Sequence, residues 1–254
     1  FRNHAVAKFV IPFFEELHKR EGFITYAYSN HGAVDDSMLR IKENMDVWRT
    51  VVQWSDDKLA EKIREDQIDI LIDMSGHTAG DRLKVFARHP APVQITWIGY
   101  PGTTGIKAMD YILMENTVLP GKNINAQFTE KIIRIPRSYA FDVEEQLPDV
   151  TEAPCVNNNF ITFGSFNRLN KINREVIALW CEVLRKLPDS RLQMAGMPSD
   201  GAPDELLTWF KEEEISEDRL YFYPRSGFVE YLKLHNQVDF CLDTFPYTGG
   251  TTTM

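Results

Sequence analysis

The feature that most constrains the fold is a repeated alternation between helix-period stretches and short apolar runs. The clearest run, Ile68 to Asp73, is closed by Met74-Ser75-Gly76 and preceded by a helical period from Ser55 to Asp66 with Ser55 as N-cap. A strand buried on both faces has no polar positions to alternate, so such runs belong to parallel sheets covered by helices on both sides. The series begins with a helix from His4 to Glu21, where Ala5, Phe9, Val10, Phe13, Phe14 and Leu17 recur at three- and four-residue steps. Pro12 is expected to kink that helix or to mark a late start. A strand at Phe23 to Tyr28, a helix at Asp81 to Arg88 and strands at Val93 to Ile98, Tyr111 to Met114 and Ile132 to Ile135 extend the first series. The second series has strands at Phe160 to Ser165, Leu192 to Met197, Leu220 to Tyr223 and Val238 to Leu242. Helices at Arg174 to Leu187, Pro203 to Glu213 and Phe228 to His235 separate them. The expected class is α/β, in two parallel-sheet halves.

From Glu144 to Asn159 the composition turns to Glu, Pro, Asp and Asn without periodicity, as in a surface linker. The expected domains are therefore residues 1–145 and 159–254, joined by a linker at 146–158. The chain opens at Phe1 without Met and stops at Met254 just after Gly249-Gly250, as expected of a fragment cut at both ends, with the second domain incomplete. A formal charge of -9 argues against nucleic-acid or anionic-membrane partners, because phosphate contacts need a surplus of Lys and Arg. No run of about 18 apolar residues is present, and the first residues lack the charged-then-apolar pattern of a signal peptide. Cys155, Cys181 and Cys241 are widely spaced in apolar stretches and are expected to be buried thiols in a reducing, cytoplasmic setting.

In open parallel sheets, ligands meet the loops beyond the carboxyl ends of the strands. Asp243 to Thr252 leaves a strand, crosses Gly249 and Gly250, and offers hydroxyls and N–H groups at a helix start. That chemistry suits a diphosphate or, equally, an ordinary capped turn. The loop Phe166 to Ile172 carries Arg168 and Lys171, a fork and a point charge that could neutralise phosphate or simply face solvent. Ser75-Gly76-His77 puts an imidazole at a strand end, and His4 stands just before the first helix; each is a possible proton acceptor and each could be a surface histidine with no role. The loop Ile98 to Gly105 is rich in glycine, for close ligand approach or for sharp turns alone. Phosphate-loop, dinucleotide, zincin and serine-hydrolase signatures are absent, and so is the D-x-D triplet with which many sugar transferases hold a metal. Leaving-group charge would then fall to Lys171, Arg168 and helix-end amides.

Pro90 to Gly105 (PAPVQITWIGYPGTTG), followed by Met109-Asp110-Tyr111-Ile112, resembles the catalytic region of the O-linked N-acetylglucosamine transferases, glycosyltransferase family 41, in a bacterial-type form. Phe1 to His4, Phe166 to Ile172 and Val238 to Thr252 resemble it in the same order, so the likeness spans essentially the whole chain. The resemblance implies a GT-B architecture of two Rossmann-like domains facing a cleft, with tetratricopeptide repeats upstream. It also implies inverting transfer of N-acetylglucosamine from UDP-GlcNAc, or another UDP-hexose, to Ser or Thr hydroxyls of a protein or peptide, with no metal and no cofactor, the UDP-sugar being a substrate. Lys171 matches the family's diphosphate lysine, Arg168 a polar donor contact, and Thr251 and Thr252 the phosphate-binding threonines. Gly99 and Pro101 match positions lining the sugar, and His4 a histidine proposed as the base. Gly250 and His77 stand where the animal enzymes carry a histidine and a tyrosine, and Asn170 replaces another tyrosine. Tyr231 aligns loosely with a uracil-side histidine. His77 is expected to hold sugar or acceptor and is the second candidate base. An asparagine-directed glucosyltransferase of the same family and a non-catalytic scaffold that holds UDP or peptide remain open as alternatives.

Overall fold

The computed structural model describes residues 4–32, 34–116, 124–136 and 147–250. The chain divides into two compact units, residues 1–143 and 144–254. In the first unit α1 (Ala5–His18), β1 (Tyr26–Ser29), α2 (Asp36–Glu43), β2 (Val47–Thr50) and α3 (Asp56–Glu65) come first. They are followed by β3 (Ile70–Asp73), α4 (Leu83–Phe86), β4 (Val93–Trp97), β5 (Tyr111–Glu115) and β6 (Lys131–Ile135). Four strands form a parallel sheet in the order β3-β4-β5-β6, and β1 pairs with β2 in a separate parallel ribbon.

The helix starts follow from side-chain caps that satisfy amides left without a partner at the first turn. Ser55 accepts from the Lys58 N–H at the start of α3, Asp35 from Met38 at α2, and His4 from Val6 at α1. Helix α1 runs through Pro12 and begins at Ala5, so the proline marks no late start. Its inner face, with Ala7, Val10, Ile11 and Phe14, packs with Ile41 and Trp97 in one cluster that also includes Met74 and Ile98. The start of α1 is thereby brought to the carboxyl ends of β3 and β4.

Two expectations fail at the front of this unit. The strand foreseen over Phe23 to Tyr28 begins only at Tyr26, because Phe23 and Ile24 are exposed and Thr25 is tied to Asp46 instead. Elements α2 and β2 lie in a stretch to which the sequence reading assigned nothing: α2 buries only Met38 and Ile41, and β2 is half exposed, so neither leaves a strong apolar period.

In the second unit α5 (Cys155–Asn158), β7 (Thr162–Ser165), α6 (Arg174–Lys186), β8 (Arg191–Met197), α7 (Asp204–Glu212), β9 (Leu220–Pro224), α8 (Phe228–His235) and β10 (Phe240–Cys241) alternate. Helix α5 is a single turn inside the segment expected to be a featureless linker. The parallel sheet has the order β10-β7-β8-β9. The chain thus lays β7, β8 and β9 outward in one direction, then returns through α8 to place β10 on the other side of β7. That reversal is a topological switch point, the place in an open α/β sheet where ligands bind. The core beneath it is formed by Val176, Ile177, Trp180 and Leu184 of α6 against Phe163, Leu192 and Met194.

Of the three cysteines only Cys181 is buried. Cys155 is intermediate and Cys241 is exposed, contrary to expectation, because Cys241 lies on the outer strand of its sheet, where no described strand pairs beyond it. No helix among the described residues is long and apolar enough to cross a membrane.

Candidate functional site

Each unit gathers its candidate residues at the carboxyl ends of its strands. In the second unit the carboxylate of Asp243, just past β10, organises the switch point. Its Oδ1 accepts from Asn167 Nδ2 at 3.1 Å, from the Thr244 N–H at 2.8 Å and from the Gly249 N–H at 2.7 Å, curling the 243–250 loop onto the loop after β7. Asn173 fastens the same loop to α6, accepting from the Val176 N–H at 2.9 Å while its Nδ2 donates to the Phe245 carbonyl at 3.0 Å. Lys171 closes the arrangement: Nζ donates to the Thr248 carbonyl at 2.8 Å and lies 4.7 Å from the centroid of the Tyr247 ring. An ammonium has three N–H groups, so this bond positions the charge while leaving donors for ligand oxygens. Arg168 is exposed at the start of the 169–171 turn.

Ser165 Oγ and Asn167 Oδ1, at the same strand end, are buried and have no hydrogen-bond partner among the described residues. Buried oxygens in that condition are where a ligand hydroxyl or an ordered water belongs. Gly250 is exposed and no described atom lies within 4 Å of a Cβ placed there, so the fold alone does not demand glycine. Thr251 and Thr252 lie outside the described residues. Tyr231 is turned inward: its ring meets Phe166 and His235, and its hydroxyl donates to the Phe166 carbonyl at 3.4 Å. Burial pushes that phenol up to about 12, and burial pushes the neighbouring His235 below the ordinary histidine value.

In the first unit Asp73 ends β3, with Thr96 of β4 as its register partner. Its buried carboxylate accepts from Thr96 Oγ1 at 2.8 Å, the Ser75 N–H at 3.1 Å and the Gly76 N–H at 2.9 Å. Burial pushes this carboxyl above its ordinary value, against the pull of those three donors. The loops after β3 and β4 are in backbone contact. A Cβ on Gly99 would overlap the Met74 carbonyl oxygen, and one on Gly76, at φ +53°, would overlap Cβ of Tyr100. Next to Gly99, Ile98 sits at φ 64°, a conformation a β-branched residue adopts only when its surroundings impose it.

Thr103 and Thr104 continue the second loop and are held from behind by Glu130, a buried carboxylate. Glu130 accepts from the Thr104 N–H at 2.7 Å, from Thr104 Oγ1, and from Thr103 Oγ1 at 2.7 Å. His77 Nε2 lies 3.0 Å from the Thr104 carbonyl, and the ring meets Tyr100 edge-on at a centroid distance of 5.5 Å. The fold thus unites His77, Gly99 and Pro101 in one loop cluster. His4 sits at the start of α1, where its Nδ1 accepts from the Val6 N–H at 3.3 Å.

Asp243 opens the segment expected to suit a diphosphate, whereas nothing in the sequence reading singles out Asp73, Glu130 or Ser165 as parts of these sites. Asp73 carries a usable signal, ending an apolar run just before a glycine-bearing loop. Glu130 carries none, being 26 residues from the threonine it holds.

Residues 1–156 and 153–254 each match the model of glycosyl transferase family 41. The chain belongs to glycosyltransferase family 41. It is 36% identical over 234 residues to the probable UDP-N-acetylglucosamine–peptide N-acetylglucosaminyltransferase SPINDLY of Hordeum vulgare, covering 89% of this chain and 25% of that protein. It is 29% identical over 265 residues to the probable transferase SEC of Arabidopsis thaliana, covering 26% of it. A solved structure of a lysine-to-methionine mutant of Thermobaculum terrenum O-GlcNAc transferase superposes with a TM-score of 0.86 at 34% identity, over 99% of this chain and 48% of that one. The α/β fold is of the GT-B type found in this family. The lipopolysaccharide outer core galactosyltransferase WaaB, at 12% identity and a TM-score of 0.57, shares the fold alone. This family 41 chain spans about a quarter of the length of the curated relatives it matches.

Proposed function

We propose that this family 41 chain contributes the catalytic core of an inverting transferase that moves N-acetylglucosamine from UDP-GlcNAc to Ser or Thr hydroxyls of a protein or peptide. The observation that carries the reading is the lysine at the switch point. Lys171, with Arg168 beside it, brings positive charge to the strand ends where an α/β domain binds its ligand. In such a transfer the acceptor oxygen bonds to the anomeric carbon from the face opposite UDP. The bond from that carbon to the β-phosphate oxygen breaks, and its electron pair leaves on the diphosphate. A preorganised ammonium, with a guanidinium beside it, stabilises that charge as it develops. Thr251, Thr252 and Gly250 complete the donor loop in this reading, Tyr231 adjoins the base end of UDP, and Gly99 and Pro101 line the sugar. No cofactor is required. The acceptor's proton goes to His4 or His77.

The test is sugar transfer by the full-length protein to Ser- and Thr-bearing peptides from a panel of nucleotide sugars, with and without excess EDTA. We expect UDP-GlcNAc to be used, the product to be O-linked, and turnover to survive EDTA. Transfer of glucose to asparagine would favour the rival enzyme, and UDP binding without turnover the scaffold. Use of some other nucleotide sugar to the exclusion of UDP-GlcNAc would overturn the donor assignment.

A further inference from the structure

The proton chemistry of the transfer can be assigned from which ring nitrogen each histidine has already committed. We propose that His77, held by Thr104 on the buried carboxylate of Glu130, is the group that takes the acceptor's proton, at Nδ1, and that His4 serves as a helix cap; this rests on the transferase reading above.

A carbonyl oxygen can only accept a hydrogen bond, so the 3.0 Å contact between His77 Nε2 and the Thr104 carbonyl places a proton on Nε2. A neutral imidazole has one N–H, and Nδ1 of His77 therefore carries the lone pair. Proton uptake at Nδ1 leaves the Nε2 bond intact and strengthens it, because the donor becomes cationic. The carbonyl is itself fixed: Thr104 is 4% exposed and gives both its N–H and its hydroxyl to Glu130, while Thr103 fills the other carboxylate oxygen. On the backbone side, Asp73 holds the Ser75 and Gly76 amides that begin the same turn. Buried carboxylates thus fix both the carbonyl that holds Nε2 and the turn that leads into His77, while His77 itself is exposed and can return its proton to water.

His4 has the opposite arrangement. Its Nδ1 accepts the Val6 N–H, so a proton arriving there would break the cap and place a cation at the positive end of α1. Its accepting nitrogen is already in use.

The hydroxyl proton passes to His77 Nδ1, the acceptor oxygen bonds to the anomeric carbon, and the electron pair of the broken carbon–oxygen bond departs with UDP. The titratable groups around the imidazole are Tyr100 at its edge, Asp73 and Asp81 within its own loop, and Glu130 behind Thr104.

The experiment is the pH profile of kcat/KM for full-length parent, His77→Gln, His4→Gln and Glu130→Gln, with UDP affinity measured beside it. We expect His77→Gln to lower kcat by about a hundredfold to ten-thousandfold, to abolish the acidic limb of the profile, and to leave UDP affinity unchanged. His4→Gln should keep the limb. Glu130→Gln, a positioning change, should lower kcat while leaving donor KM within about threefold, and Glu130→Asp should recover part of the loss. If the parent transfers sugar and His77→Gln keeps its limb and most of its rate, or if His4→Gln loses the limb instead, the assignment falls while the transferase reading stands. If the parent turns over no nucleotide sugar, both fall.

Discussion

At the scale of single residues, Lys171 shows how a charge becomes useful once its neighbours fix it. Its bond to the Thr248 carbonyl and its place over Tyr247 hold the ammonium in position before any ligand arrives, so little ordering is left for the moment of reaction. Lys171→Ala in the full-length enzyme should lower kcat by on the order of a hundredfold or more, as for loss of one preorganised charge-stabilising group. A steady-state assay showing less than a threefold change would remove Lys171 from the donor site. Residues of this kind were legible in the sequence because charge in a strand-end loop stands out against apolar flanks. Gly99 was legible only as a glycine, since the Met74 carbonyl that forbids a Cβ there comes from the neighbouring strand's loop.

At the scale of elements, Asn173 joins helix formation to site formation. One end of its amide caps α6 and the other secures the 243–250 loop, so a single side chain sets where the helix starts and where the loop lies. Asn173→Ala should cost about 1 kcal/mol of stability, the usual effect of losing an N-cap, seen as a lower urea midpoint. It should also raise the donor KM severalfold, because the loop loses its tether. An unchanged KM in a correctly destabilised variant would separate the two roles. Helix α6 and its strands could be read from periodicity since their buried faces are long and apolar. Helix α2 and strand β2 could not, as their burial is slight and depends on packing under α1 and beside β1.

At the scale of the whole molecule, stability depends on carboxylates that tie distant segments together. Glu130 joins the 103–104 loop to the start of β6, and Asp239 accepts from the Cys155 and Thr162 N–H groups to join α5, β7 and β10. Burial pushes both carboxyls up, but the threonine donors around Glu130 and the backbone donors around Asp239 outweigh it and hold both below their ordinary values. A depressed carboxyl contributes stability that is present above its unfolded value and lost as pH falls through the folded one. Asp73, raised by burial, acts in the opposite sense. Denaturant unfolding from pH 7 to 3 should therefore show stability declining below about pH 4.5. The variant Glu130→Gln with Asp239→Asn should start lower at pH 7 and decline less steeply, and parallel curves would exclude both carboxylates as the cause. What the sequence determined by itself was the α/β class, its near-complete list of buried strands and helices, and the loops that carry charge and glycine, because hydrophobic period and turn chemistry act over a few residues. What only the tertiary structure decided was the return of β10 beside β7, the hold of Glu130 on Thr104, and the choice of nitrogen left open on His77. Those depend on groups far apart in the chain whose meeting is set by sheet order and packing, and no local pattern records it.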